Sequence, residues 1–232
     1  REAMRLRTRD SIVQYLQAAV EASAKVSDSA LLVRYSRHGD GAAFDELLAR
    51  HGPMLWNVCL RQTADRAAAE DVFQATCLVL ARKAGQIARP ESLACWLHGV
   101  AVRIARREYD SRLRSREEFG AVDARAVEPN SQVETREIFQ LLDRELQAIP
   151  EYLRSPLVLC YLEGKTRDDA AAELGLSLGT LKRRLEEGRE NLRRRLIRRG
   201  VSLPSVLLIV AAAESAVPAG LLAAVRTTGP SG

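Results

Sequence analysis

The chain has 232 residues, 47% hydrophobic and 28% charged, which suits one large or two small folded domains and excludes a disordered or fibrous protein. Lys and Arg number 35 against 30 Asp and Glu, for a net charge of +5 and a pI of about 9.3, a balance suited to a polyanionic partner. There is no Walker-type glycine loop, H-E-x-x-H or G-x-S-x-G, and Cys59, Cys77, Cys95, Cys160, His38, His51 and His98 lack metal-ligand spacing, so the sequence predicts no enzyme, no metal and no cofactor.

Strand signals are almost absent and helical periodicity is widespread, which predicts an all-α protein. Arg1 to Asp10 is charged and has no apolar h-region, and the cysteines sit among apolar residues as reduced thiols, so a cytoplasmic location is expected. Met4 is internal, which leaves the true start open. Residues 1–27 read as an N-terminal extension, with a short amphipathic helix over 10–25.

From Ser29 to Arg50 the pattern gives two helices broken at Gly39-Asp40-Gly41. A further break is expected at Gly52-Pro53, before the apolar residues Leu55, Val58, Cys59 and Leu60. Ala67 to Ala84 carries Val72, Phe73, Cys77 and Leu80 on one face and Glu70, Asp71 and Gln74 on another. Arg89-Pro90 marks a loop over Ile87–Glu91. Ser92 to Arg116 is one long helix, apolar in its first half and rich in arginine in its second, with Arg103, Arg106, Arg107, Arg112, Arg114 and Arg116.

Residues 117–133 lose this periodicity and read as an acidic flexible linker. The next helix starts at the capping pair Ser131 and Glu134, carries Ile138, Leu141, Leu142 and Leu146, and stops near Pro150. Pro156 opens the apolar run 157–162 at a position where a helix tolerates proline, and Gly164 ends it.

The strongest signal lies at 166–199. Thr166 and Asp169 have capping-box spacing, Gly175 suits a left-handed helix end, and Ser177 caps a second helix. Two helices joined by a short turn containing glycine make a helix-turn-helix. From Lys182 to Arg199 there are nine Lys or Arg against three Glu, a charge excess that suits phosphate binding behind a groove-reading helix. Thr180, Lys182 and Arg183 are placed to read base edges, with Ser177 and Gly179 permitting close backbone approach and Arg184 and Arg189 holding phosphates. Leu181 and Leu185 face the core.

Taken in order, these pieces resemble the bacterial sigma factors of the extracytoplasmic-function type over roughly Asp28–Leu196. Glu70-Asp-Val-Phe-Gln-Ala-Thr76 looks like the acidic helix that docks on the clamp helices of RNA polymerase. Ser92-Leu-Ala-Cys-Trp96-Leu-His-Gly-Val-Ala101 looks like the segment beside the reader of the −10 element. Ala148-Ile-Pro150, Tyr161-Leu-Glu-Gly164 and Leu174–Leu185 match the second domain and its −35 recognition helix. His98-Gly99 departs from the family's usual Tyr-Arg, and Ala88–Ser92 replaces a Gly/Asp-rich loop, so −10 base preferences are not carried over.

The resemblance implies a polymerase-binding and −10-reading domain at 28–116, the linker at 117–133 and a −35-reading helix-turn-helix domain at 134–200, followed by an apolar C-terminal extension at 201–232. It implies polymerase contacts at Glu70, Asp71 and Gln74, and −10 contacts at Arg89, Ser92, Trp96, Arg103, Arg106 and Arg107. Trp96 is a stacking platform or, as its spacing with Val100 and Ile104 favours, a core residue. The implied partners are the core polymerase (clamp helices and flap), promoter DNA and an anti-sigma or other regulatory protein. A polymerase-independent helix-turn-helix regulator and a membrane-tethered adaptor are the alternatives. Glu214, Pro204, Pro218 and Gly220 interrupt the tail, which favours two short packed helices over a membrane span.

Overall fold

The computed structural model describes residues 26–63, 65–118, 130–204 and 216–228. Every regular element among them is helical. The first module comprises α1 (Asp28–His38), α2 (Gly41–Gln62), α3 (Arg66–Lys83) and α4 (Leu93–Glu118), with 3-10 turns at Ala84–Gln86 and Pro90–Ser92 before α4. The second comprises α5 (Asn130–Gln147), α6 (Glu151–Leu157) running into a π turn at Val158–Leu162, α7 (Arg167–Glu173) and α8 (Leu178–Ile197). A last helix, α9 (Ala219–Thr228), follows. The expected helix at 10–25 lies outside the described residues.

Local chemistry sets most boundaries. Ser27, Asp40 and Asp65 cap α1, α2 and α3 by accepting the amides of Ala30, Ala43 and Ala68. Gly39 ends α1 at φ 63°, where a side chain would be strained. The expected break at Gly52-Pro53 does not occur, because α2 runs through it for 22 residues. Pro53 costs one helical hydrogen bond, but Leu47, Leu48, Met54, Leu55, Trp56, Val58 and Cys59 are buried on both sides of it, and that burial offsets the loss.

Pro156 is likewise inside a helix rather than opening one. Helix α6 starts after Pro150, and the turn beyond Pro156 widens to π geometry, with Glu163 N–H donating to Val158 O at 3.0 Å. Gly164, at φ 67°, then ends it as expected.

In the first module α2 packs on α1, α3 and α4, around Trp56, Phe73, Leu80 and Leu97. In the second α8 packs on α5, α6 and α7, around Leu153, Leu159, Leu181 and Leu196. Helix α9 lies against α2 and α3 with Leu221 and Val225 buried. No helix among the described residues is long and apolar enough to cross a membrane.

The span 117–133 is helical at both ends, since α4 continues to Glu118 and α5 begins at Asn130. The middle of that span lies outside the described residues. The two modules do not stand apart: α2 touches α5, and α4 touches both α6 and the π turn. Buried polar groups across that contact, invisible to apolar periodicity, explain why it was not expected.

Candidate nucleic-acid interface

The helix-turn-helix forms as its sequence predicts. Thr166 caps α7 by accepting the Asp169 amide at 3.1 Å, and its hydroxyl donates to the Asp169 carboxylate at 2.6 Å. Gly175 adopts φ 62°, and Leu176 N–H returns to Ala171 O at 2.9 Å, which closes the end of α7. Two residues later Ser177 caps α8 by accepting the Thr180 amide at 3.2 Å. The Ser177 and Thr180 hydroxyls also bond to each other at 2.9 Å, so Thr180 is oriented before any ligand arrives.

Helix α8 divides cleanly into two faces. Leu181, Leu185, Gly188, Leu192 and Leu196 are buried. Lys182, Arg183, Glu186, Glu187, Arg189, Glu190 and Arg193 are exposed. Gly188 permits the seam with α6, because a Cβ there would meet Leu153 O at 3.0 Å and Leu157 at 3.2 Å. Arg183 reaches Glu187 at 3.5 Å, a surface pair that costs little to break. Arg184 differs from its neighbours. It is half-buried, with its guanidinium 5.8 Å from the Tyr152 ring centroid and its Nε buried without a hydrogen-bond partner among the described residues. It therefore packs towards α6, away from the outer face that carries Lys182 and Arg183.

The predicted −10 residues fall into two groups. Arg89, Ser92, Trp96 and Arg103 line one cleft of about 390 Å³. Arg106 and Arg107 are exposed farther along α4. Trp96 is half-buried, packed against the core on one side and facing the cleft on the other. The opposite wall of this cleft belongs to the second module: Gln147, Glu151 and Arg154. Ser92 Oγ donates to Glu151 Oε1 at 2.9 Å, Arg89 lies 3.5 Å from the same oxygen, and Arg154 Nε approaches Cys95 Sγ at 3.1 Å.

Beside the cleft is a buried polar cluster that sequence reasoning missed. Asp143, on α5, is fully buried. It accepts two hydrogen bonds from Arg61 at 3.2 Å and one from Gln62 at 2.6 Å, and it meets His98 Nε2 at 2.8 Å. Burial alone would raise its pKa, but Arg61 and His98 beside it hold the carboxyl far below the usual range. Gln147 Nε2 donates to His98 Nδ1 at 2.7 Å. A second cluster joins the modules around His51, which bonds Asp28 at 2.7 Å and Glu163 at 2.5 Å. Burial lowers the pKa of His51, but the two carboxylate partners outweigh it and push it up to about 9.

On α3 the proposed polymerase face is partly open. Asp71 is exposed, Gln74 is half-buried, and Glu70 is half-buried and paired with Arg66 at 3.2 Å.

Two family descriptions match the chain: sigma-70 region 2 over residues 47–117, and sigma-70 region 4 over residues 139–192. RNA polymerase sigma factor CarQ of Myxococcus xanthus is 34% identical over 165 residues, 68% of this chain and 92% of that protein. ECF RNA polymerase sigma factor SigM of Mycobacterium tuberculosis is 30% identical, covering 73% of this chain and 85% of that protein. ECF RNA polymerase sigma factor SigE of Mycolicibacterium smegmatis is 29% identical, over 67% of this chain and only 63% of that protein's length. The solved structure of CnrH in complex with the cytosolic domain of CnrY is 21% identical, covering 74% of this chain and 97% of that one, with a TM-score of 0.37. The chain belongs to the extracytoplasmic-function family of RNA polymerase sigma factors.

Proposed function

We propose that this sigma factor directs core RNA polymerase to promoters by reading the −35 element with Thr180, Lys182 and Arg183 and the −10 element with the cleft at Arg89, Ser92, Trp96 and Arg103. The observation that carries the reading is the outer face of α8. Ser177, Lys182 and Arg183 are exposed at the helix start with Thr180 half-buried beside them, while the leucines hold the helix to the module. Ser177 and Gly179 let the backbone approach the groove closely. Arg189, on the exposed face, is a phosphate contact, and Arg184 contributes chiefly through Tyr152. Arg106 and Arg107 extend the basic surface along α4 for strand phosphates.

Core polymerase docks through its clamp helices on Asp71 and Gln74, with Glu70 beside them, and through its flap on the second module. The proposed domain limits are 28–116 and 134–200. The protein acts in the cytoplasm, under an anti-sigma or similar regulatory protein. Transcription by purified core polymerase plus this chain on a genomic promoter library tests the proposal. Promoter-selective initiation that depends on the chain is expected. Tight autonomous duplex binding as a symmetric dimer, with no effect on polymerase, would instead indicate a polymerase-independent regulator.

A further inference from the structure

His98 and Gly99 are the two positions at which the sequence leaves the family's Tyr-Arg pattern, and the −10 reading gives them no role. In the structure both lie where the second module meets α4. His98 is fully buried between Asp143 and Gln147. At Gly99 a Cβ would sit 3.2 Å from the Gln147 amide oxygen and 3.2 Å from the Arg103 guanidinium. A Cβ there would press on the ends of two side chains, one of them from α5, and a side chain as large as leucine would have to displace Gln147 from its place beside His98. One helical turn before His98, Cys95 receives Arg154, and Ser92 is held by Glu151.

The contacts made at Ser92, Cys95 and Gly99 lie in the wall of the −10 cleft, and the Asp143 cluster lies beside it. Glu151 places a carboxylate on Arg89 and Ser92, the position a strand phosphate would take. We infer that His98 and Gly99 are the seat on which the second module closes, so that the free chain rests shut, with the Glu151 carboxylate occupying its own −10 cleft. This rests on the −10 reading above.

Geometry requires the shut form to open. Elements at −35 and −10 are about 25 base pairs apart, or roughly 85 Å along B-form DNA. A compact body of 232 residues has a radius of gyration of about 17 Å and is about 45 Å across. The shut chain cannot touch both elements at once. Opening must hydrate Asp143, Arg61 and His98 together, and core polymerase holding the two modules apart would offset that loss.

The test uses the full chain without polymerase. Gly99→Leu adds a neutral wedge at the seat, and Asp143→Asn keeps the shape of the buried group while removing its charge. Circular dichroism checks that each variant keeps its helices. Small-angle scattering reads the opening, and anisotropy of a labelled 20-nucleotide oligo-dT reads access to the cleft. Both variants should show a larger radius of gyration than wild type, and oligo-dT should bind them about tenfold more tightly if a tenth of wild-type chains stand open. Equal radii in all three proteins overturn the seat, and opened variants with unchanged oligo-dT affinity overturn the occluded cleft. Initiation with core polymerase is scored separately. Its failure in every chain counts against the promoter reading, while scattering still decides the seat.

Discussion

The helix proposed to read the −35 element and the cleft proposed to read the −10 element are built on opposite principles. Helix α8 owes its geometry to neighbours in sequence: the Gly175 turn, the Ser177 cap and its own leucine stripe. Its outer face is already exposed. The cleft at Arg89, Ser92 and Trp96 is shaped by groups roughly 50 to 60 residues away in sequence, which form its opposite wall in this arrangement. A surface built locally stays ready for its ligand, whereas one built by long-range polar contacts can be shut and opened.

The sharpest way to break this comparison is to remove the charge at the seam. Asp143→Ala leaves Arg61 and His98 buried without their carboxylate, which costs about 3–5 kcal/mol when no rearrangement is allowed. The modules can escape that cost by separating, so the first consequence should be opening, followed by a lower Tm. Hydrogen exchange should rise at 143–154 and remain unchanged at 181–192. Uniform loss of protection in both stretches would show that the seam and the reading helix are one cooperative unit.

A second test is pH. His51 titrates near 9 in the folded chain against an ordinary 6.5. Because its folded pKa is raised, its contribution is fully present below about 6.5 and is lost as pH rises through about 9. Around it stand Asp28, Glu163, Glu173, Arg50 and Lys165. Asp28 is lowered below 3.8 and Lys165 raised above 10.5, so neither titrates in that window. Stability should fall by up to about 3 kcal/mol between pH 6.5 and 9. His51→Gln should flatten the slope over that range, and a wild-type profile that is already flat there would refute the assignment.

Much of the second region was legible in sequence for a physical reason. Capping boxes, a left-handed glycine and an i, i+4 leucine stripe are short-range rules, and Thr166, Gly175, Ser177, Leu181 and Leu185 all obey them. Where a local rule met a large burial term it failed, as at Pro53 and Pro156, both inside helices. The seam was not legible, because Asp143 sits in an ordinary amphipathic pattern beside Leu141 and Leu142, and nothing local marks its partners Arg61 and His98. The one available signal was the His98-Gly99 departure itself.

At the reading helix, effects should be smaller and should leave the seam unchanged. Lys182→Ala or Arg183→Ala should cost roughly 1–3 kcal/mol of promoter binding and relax preference at one base position. Arg189→Ala should weaken all sequences alike and reduce the salt slope by about 1. Promoter variants assayed with polymerase at several salt concentrations separate the two classes. If Lys182→Ala and Arg183→Ala weaken every sequence equally, those residues only position the helix.

The smallest effect separates folding from reading within one motif. Thr166 and Ser177 are both N-caps, of α7 and α8, each accepting an amide at 3.1 to 3.2 Å. Replacing either with alanine should cost about 1 kcal/mol of stability, so the two variants should melt alike. Their side-chain partners differ. Thr166 holds Asp169, on the helix before α8, whereas Ser177 holds the hydroxyl of Thr180, the residue proposed to meet the base edges. Ser177→Ala frees that hydroxyl to rotate and loosens the first turn of α8, so ordering must occur on binding. Promoter affinity should therefore fall further in Ser177→Ala than in Thr166→Ala, with the excess absent when both are combined with Thr180→Ala. Equal losses in the two single variants would mean that the Ser177–Thr180 contact serves only the fold, and that Thr180 reaches the groove without it.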